Sequence, residues 1–91
     1  MEDKRMKKIK ELFGAVMELN GFEENPKPCV FLNVSPHVAW IAVDYHFNGW
    51  EDQSSPDRQK IISYNNNSCI KSIEQEIFFI KTLKRREENA Y

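Results

Sequence analysis

Four side chains in this 91-residue chain could ligate a soft metal: Cys29, His37, His46 and Cys69. Zinc sites bring such ligands together through short spacings such as Cys-x-x-Cys or His-x-x-x-His. No such pair occurs here, so the four are expected to be two ordinary histidines and two free thiols. Cys29, His37 and Asp44 also contain the residue types of a nucleophile, a base and an orienting acid. Nothing in their spacing enforces that geometry. The three glycines do not form a phosphate-cradling loop, and a domain this short offers little concave volume for a substrate. No catalytic residue, metal or cofactor is therefore expected, and the chain reads as a non-enzyme.

Electrostatics carry more information than the formal net charge of −1. Lys4, Arg5, Lys7, Lys8 and Lys10 open the chain, and Lys81, Lys84, Arg85 and Arg86 come near its end. Between them, residues 11–80 are about six charges negative. Asp44, Glu51, Asp52 and Asp57 gather part of that charge around one expected hairpin. Basic ends could serve a nucleic-acid regulator only if the fold merged them into one patch. The apolar fraction of 41% suits a folded domain, and the length suits a single one spanning 1–91. No apolar run approaches the ~20 residues that would span a bilayer. The first residues, Met-Glu-Asp-Lys-Arg-Met-Lys-Lys, lack a secretory pattern.

The elements follow from periodicity. Residues 3–19 predict a helix with Met6, Ile9, Leu12, Phe13, Val16 and Met17 on one face. Gly21 is placed to cap its end, with Phe22 folding back on the last turn. Residues 29–34 and 38–47 read as strands rich in β-branched and aromatic residues. Ser35-Pro36-His37 lies between them, with Pro36 at the second position of a type I turn. Asn48-Gly49 signals a tight type I′ turn. A third strand is expected over 58–64; either it begins earlier, at Trp50, or 48–57 is one long loop. Asn65, Asn66, Asn67 and Ser68 supply capping oxygens for a second helix over 69–87, striped by Ile70, Ile73, Ile77, Ile80 and Leu83.

Side-chain alternation sets the register of the first strand pair. With Ser35 facing Val38 across a two-residue loop, one face collects Val30, Leu32, Val34, Ile41, Val43 and Tyr45. The other collects Cys29, Phe31, Asn33, Val38, Trp40, Ala42, Asp44 and His46. A four-residue loop with Val34 facing Ala39 gives the same faces. The whole is an α+β fold in the order α-β-β-β-α: a three-stranded antiparallel sheet with two roughly parallel helices on one face. The two basic clusters then lie at opposite ends and do not merge into one patch, so nucleic-acid binding is not expected. Phe31, Val38 and Trp40 fall on the helix-free face, where an antiparallel sheet ordinarily shows polar residues to water. With Trp50 they are the expected contact residues for a protein partner or a second copy. Asp44, Glu51, Asp52 and Asp57 would form an acidic rim around them.

Residues 30–38, Val-Phe-Leu-Asn-Val-Ser-Pro-His-Val, followed by Asn48-Gly49-Trp50, resemble small proteins encoded by phages and prophages of low-GC bacteria. In those, an apolar strand leads into Ser-Gly-His-Val, an alternating strand and Gly-Trp. The resemblance covers residues 28–50, and Pro36 stands where that family has glycine. It implies a cytoplasmic accessory protein of a bacterial host that binds and blocks a host or defence protein.

Overall fold

The computed structural model describes residues 3–52 and 54–83. Helix α1 spans Lys4–Asn20 and starts where the Asp3 carboxylate accepts the Arg5 N–H at 2.7 Å. Leu12, Ala15, Val16 and Leu19 are its buried face. At its end the Gly21 N–H donates to the Met17 carbonyl at 2.9 Å, with φ at 65°. The expected fold-back of Phe22 does not occur. Gly21 has ψ at −151°, which turns the chain away from the helix, and Phe22 is 99% exposed.

Strands β1 (Cys29–Ser35), β2 (Trp40–His46) and β3 (Arg58–Ser63) form one antiparallel sheet in the order β1-β2-β3. The two faces have the expected composition, but the register differs. Ser35 faces Trp40 rather than Val38, so the pairing is shifted by two residues and the loop has four, 36–39. A shift of two leaves every side chain on its face, which is why alternation alone could not detect it. The turn itself explains the length. Pro36 does sit in a turn begun at Ser35, whose carbonyl accepts the Val38 N–H at 3.3 Å. A type I turn twists against a two-residue hairpin, so the chain continues to Ala39 before pairing. Ala39 takes a left-handed φ of 55° to close the loop. Val38 is thereby a turn residue and not the start of β2.

Asn48-Gly49 is not a hairpin turn either. The Gly49 N–H donates to the His46 carbonyl at 3.1 Å, which centres the turn on Phe47 and Asn48. No strand occurs in residues 47–52 or 54–57, and the third strand begins at Arg58. Asp57 returns it to the sheet: its N–H donates to the Tyr45 carbonyl at 2.8 Å, and its carboxylate accepts the Phe47 N–H at 2.8 Å.

Helix α2 spans Cys69–Thr82; of the expected 69–87, residues 84–87 lie outside the described residues. Ser68 makes no side-chain cap; the Asn66 carboxamide oxygen instead accepts the Ser68 N–H at 2.9 Å. Both helices pack on the face of Val30, Ile41, Val43, Tyr45 and Ile62, with Leu12, Val16, Ile73 and Ile80 completing the core. They run in the same direction. Arg5 donates to the Tyr64 carbonyl just before α2, Lys8 pairs with Glu74, and Glu18 shares a groove with Lys81.

Candidate functional site

The helix-free face reads across the three strands as rows: Ser35, Trp40 and Ser63; then Asn33, Ala42 and Ile61; then Phe31, Asp44 and Gln59; then Cys29 and His46. Phe31 is 39% exposed, Trp40 45% and Ile61 47%. They stand on three different strands around Ala42: Ile61 beside it, Trp40 two residues before it on β2, and Phe31 diagonally across on β1. Ile61 was not expected on this face. Alternation along β3 was the available signal, since Ile61 and Ile62 are adjacent and must point to opposite faces.

The far row departs from expectation. Cys29 and His46 are on the outer face but are buried, because Glu24, Asn25 and Trp50 flank this end of the sheet. The Phe31 ring meets His46 edge-on at 5.4 Å. Asn25 fixes Trp50 from both sides of its backbone: its oxygen accepts the Trp50 N–H at 2.6 Å, and its amide donates to the Trp50 carbonyl at 2.9 Å. Trp50 thus joins Phe31 at one end of the face, its ring still exposed. Val38 is exposed in the turn beside Trp40, at the other end.

The acidic residues divide. Asp44 stands on the face and accepts a hydrogen bond from the Gln59 amide at 2.8 Å. Glu51 and Asp52 are exposed next to Trp50. Asp57 is committed to the Phe47 N–H and contributes to loop closure instead of to the rim.

Of the residues weighed for metal or nucleophilic chemistry, only Cys29 and His46 are brought together, as direct cross-strand partners. His37 sits in the turn at the opposite end of β1, and Cys69 opens α2. Both cysteines are free, and burial pushes both thiols upward, toward the inert protonated form. Among the described residues no group of three or more His, Cys, Asp or Glu side chains could hold a metal. At the basic start of α1, Arg5 pairs with Asp3, and Lys8 with both Glu11 and Glu74. Lys84, Arg85 and Arg86 lie outside the described residues. Among the described residues no helix is long and apolar enough to cross a membrane.

One polar cluster escaped sequence reading altogether. Glu76 lies on the inner stripe of α2 and is 2% exposed. Its Oε1 accepts the Tyr45 hydroxyl and Arg58 Nη1, each at 2.6 Å, and Arg58 Nη2 reaches Oε2 at 3.3 Å. The guanidinium also lies 4.3 Å from the centre of the Phe79 ring. Burial acts to raise the Glu76 carboxyl, but Arg58 and Tyr45 outweigh it and hold it below its ordinary value. With both Glu76 oxygens engaged, the cluster ties β2 and β3 to α2. An acid at the centre of the stripe, between Ile73 and Ile80, was the signal for it.

The fold and this surface define a small α+β domain with one sheet face left open. No protein-family model matches the chain, and no curated protein or solved structure matches it.

Proposed function

We propose that this chain is a non-catalytic, phage-type accessory protein that binds another protein through its helix-free sheet face. The observation that supports the reading is the cluster of Phe31, Ile61 and Trp40 around Ala42, large apolar side chains each about two-fifths to one-half exposed on a face no helix covers. Side chains of this kind anchor protein interfaces. Asp44, Glu51 and Asp52 border the cluster, so the partner surface is basic. The resemblance of residues 28–50 to phage-encoded proteins points to a bacterial host or defence protein as that partner.

The test compares the wild-type chain with the double variant Trp40→Asp, Phe31→Ser. Wild-type protein incubated with host lysate should retain one stoichiometric partner, and higher ionic strength should speed its dissociation. The double variant should lose it while its circular dichroism stays unchanged. Undiminished retention by a folded double variant overturns the reading.

A further inference from the structure

Asn20, the last residue of α1, treats the edge of β1 as a neighbouring strand would. Its amide donates to the Val30 carbonyl at 2.8 Å, and its oxygen accepts the Val30 N–H at 3.0 Å. Val30 therefore points its backbone groups away from β2. Alternation in an antiparallel ladder makes Leu32 and Val34 do the same. Among the described residues nothing bonds to those groups. The edge is also undefended: β1 has no charge, proline or bulge, whereas the opposite edge strand, β3, carries Arg58 and Lys60.

Apolar surface collects beside this edge. Met6, Phe13 and Met17 are each about half exposed on α1. They share a helical stripe with Asn20, and Asn20 reaches the β1 edge, so the stripe faces that side of the molecule. Helix α1 crosses the sheet obliquely, from the Tyr64 carbonyl, where Arg5 binds, to Val30 at its end. The helix is thus displaced from the second half of β1. Val34, although on the helix-covered face, is left 46% exposed.

We propose that β1 pairs with β1 of a second copy, antiparallel about a two-fold axis, giving a homodimer with one continuous six-stranded sheet. The uncharged edge lets two identical copies approach, and a row of outward N–H and C=O groups is complementary to itself under such an axis. The register follows from what is blocked. Centring the pair on Leu32 would oppose Val34 to Val30, which Asn20 already occupies. Centring it on Val34 would oppose Leu32 to Pro36, which has no N–H. Centring it on Asn33 places Leu32 opposite Val34 of the second copy in both directions and satisfies every free group. The α1 stripes and Val34 side chains of the two copies then cover one another. The outer aromatic faces remain open on the other side, so this interface is independent of the partner-binding reading.

The experiment uses the full chain. Sedimentation should give twice the 10.8 kDa chain mass. In this register the two Asn33 residues form a non-hydrogen-bonded pair, with Cα atoms ~4.5 Å apart, inside disulfide range. Asn33→Cys should therefore cross-link into a covalent dimer on mild oxidation, while wild type, whose cysteines are buried, should not. Val34→Pro keeps the β1–β2 ladder, since the Val34 N–H faces outward, and should weaken dimerisation roughly tenfold or more. If that variant does not fold, Phe13→Glu with Met17→Glu should do the same from α1. Trp40→Asp should remain dimeric. A monomer at all concentrations, no cross-link through Asn33→Cys, or a dimer abolished by Trp40→Asp overturns the proposal.

Discussion

Glu76 is tolerated between Ile73 and Ile80 because two donors meet it there. The sign of its pH dependence follows. Its pKa when folded lies below the ordinary 4.5, so its contribution is complete above that value and is lost as pH falls through the folded pKa. Glu76→Gln should cost about 1–2 kcal/mol at neutral pH, a figure reduced because the Arg58 end of the pair is partly solvated. It should also flatten the acid limb of stability measured by urea unfolding between pH 3 and 6. Tyr45 behaves in the opposite sense. Burial first, then the Glu76 carboxylate, raises its pKa far above the ordinary 10.0. The neutral phenol is favoured in the fold, and that stability is lost as pH rises beyond 10. Tyr45→Phe should remove this alkaline loss and cost about 1 kcal/mol at pH 7, since Glu76 keeps Arg58.

Two positions between elements, Gly49 and Ala39, take left-handed backbone that a side chain resists. Gly49 has φ at +87°, and a Cβ there would lie 3.2 Å from both the Asn25 oxygen and the Lys27 side chain. Gly49→Ala should cost about 1–3 kcal/mol and loosen Trp50, seen as a red shift in tryptophan emission. Ala39 pays a smaller penalty for its left-handed φ, and Ala39→Gly should raise stability by up to about 1 kcal/mol in the same unfolding assay. These positions also mark where the sequence was hard to read. Helix α1 was legible to within a residue at each end, because the spacing of Ile9, Leu12 and Val16 is purely local, although Met6, Phe13 and Met17 of the same expected stripe are about half exposed and Ala15 and Leu19 are buried instead. The faces of β1 and β2 were legible because Val30, Ile41 and Val43 alternate. The pairing of Ser35 with Trp40 was not, since it depends on how the type I turn twists the strands, and registers two residues apart share the same faces. Asn48-Gly49 misled because its glycine serves Asn25, a residue distant in sequence. The Arg58–Glu76 pair likewise needed the tertiary fold to bring its halves together.

At the scale of the molecule, the core and the exposed apolar cluster are separate. Phe31 and Trp40 lie on the face opposite Ile41, Val43 and Ile62, so Trp40→Asp with Phe31→Ser should shift the thermal midpoint by no more than ~5 °C in calorimetry. A larger drop would mean that these side chains support the fold rather than a partner. The candidate surface was legible in outline: Phe31 and Trp40 were placed by strand alternation alone. Its extent was not, because burial of Cys29 and His46 depends on the 22–28 connector, whose path is irregular. The parallel arrangement of the helices has a kinetic consequence. Arg5 and Tyr64 are 59 residues apart, and the contacts of α1 with α2 reach further still. A topology closed by such distant contacts folds more slowly than one built from neighbouring helices. On the ribosome, α1 and the whole sheet would already have emerged with their apolar faces uncovered, waiting for α2, the last of the described elements to be synthesised.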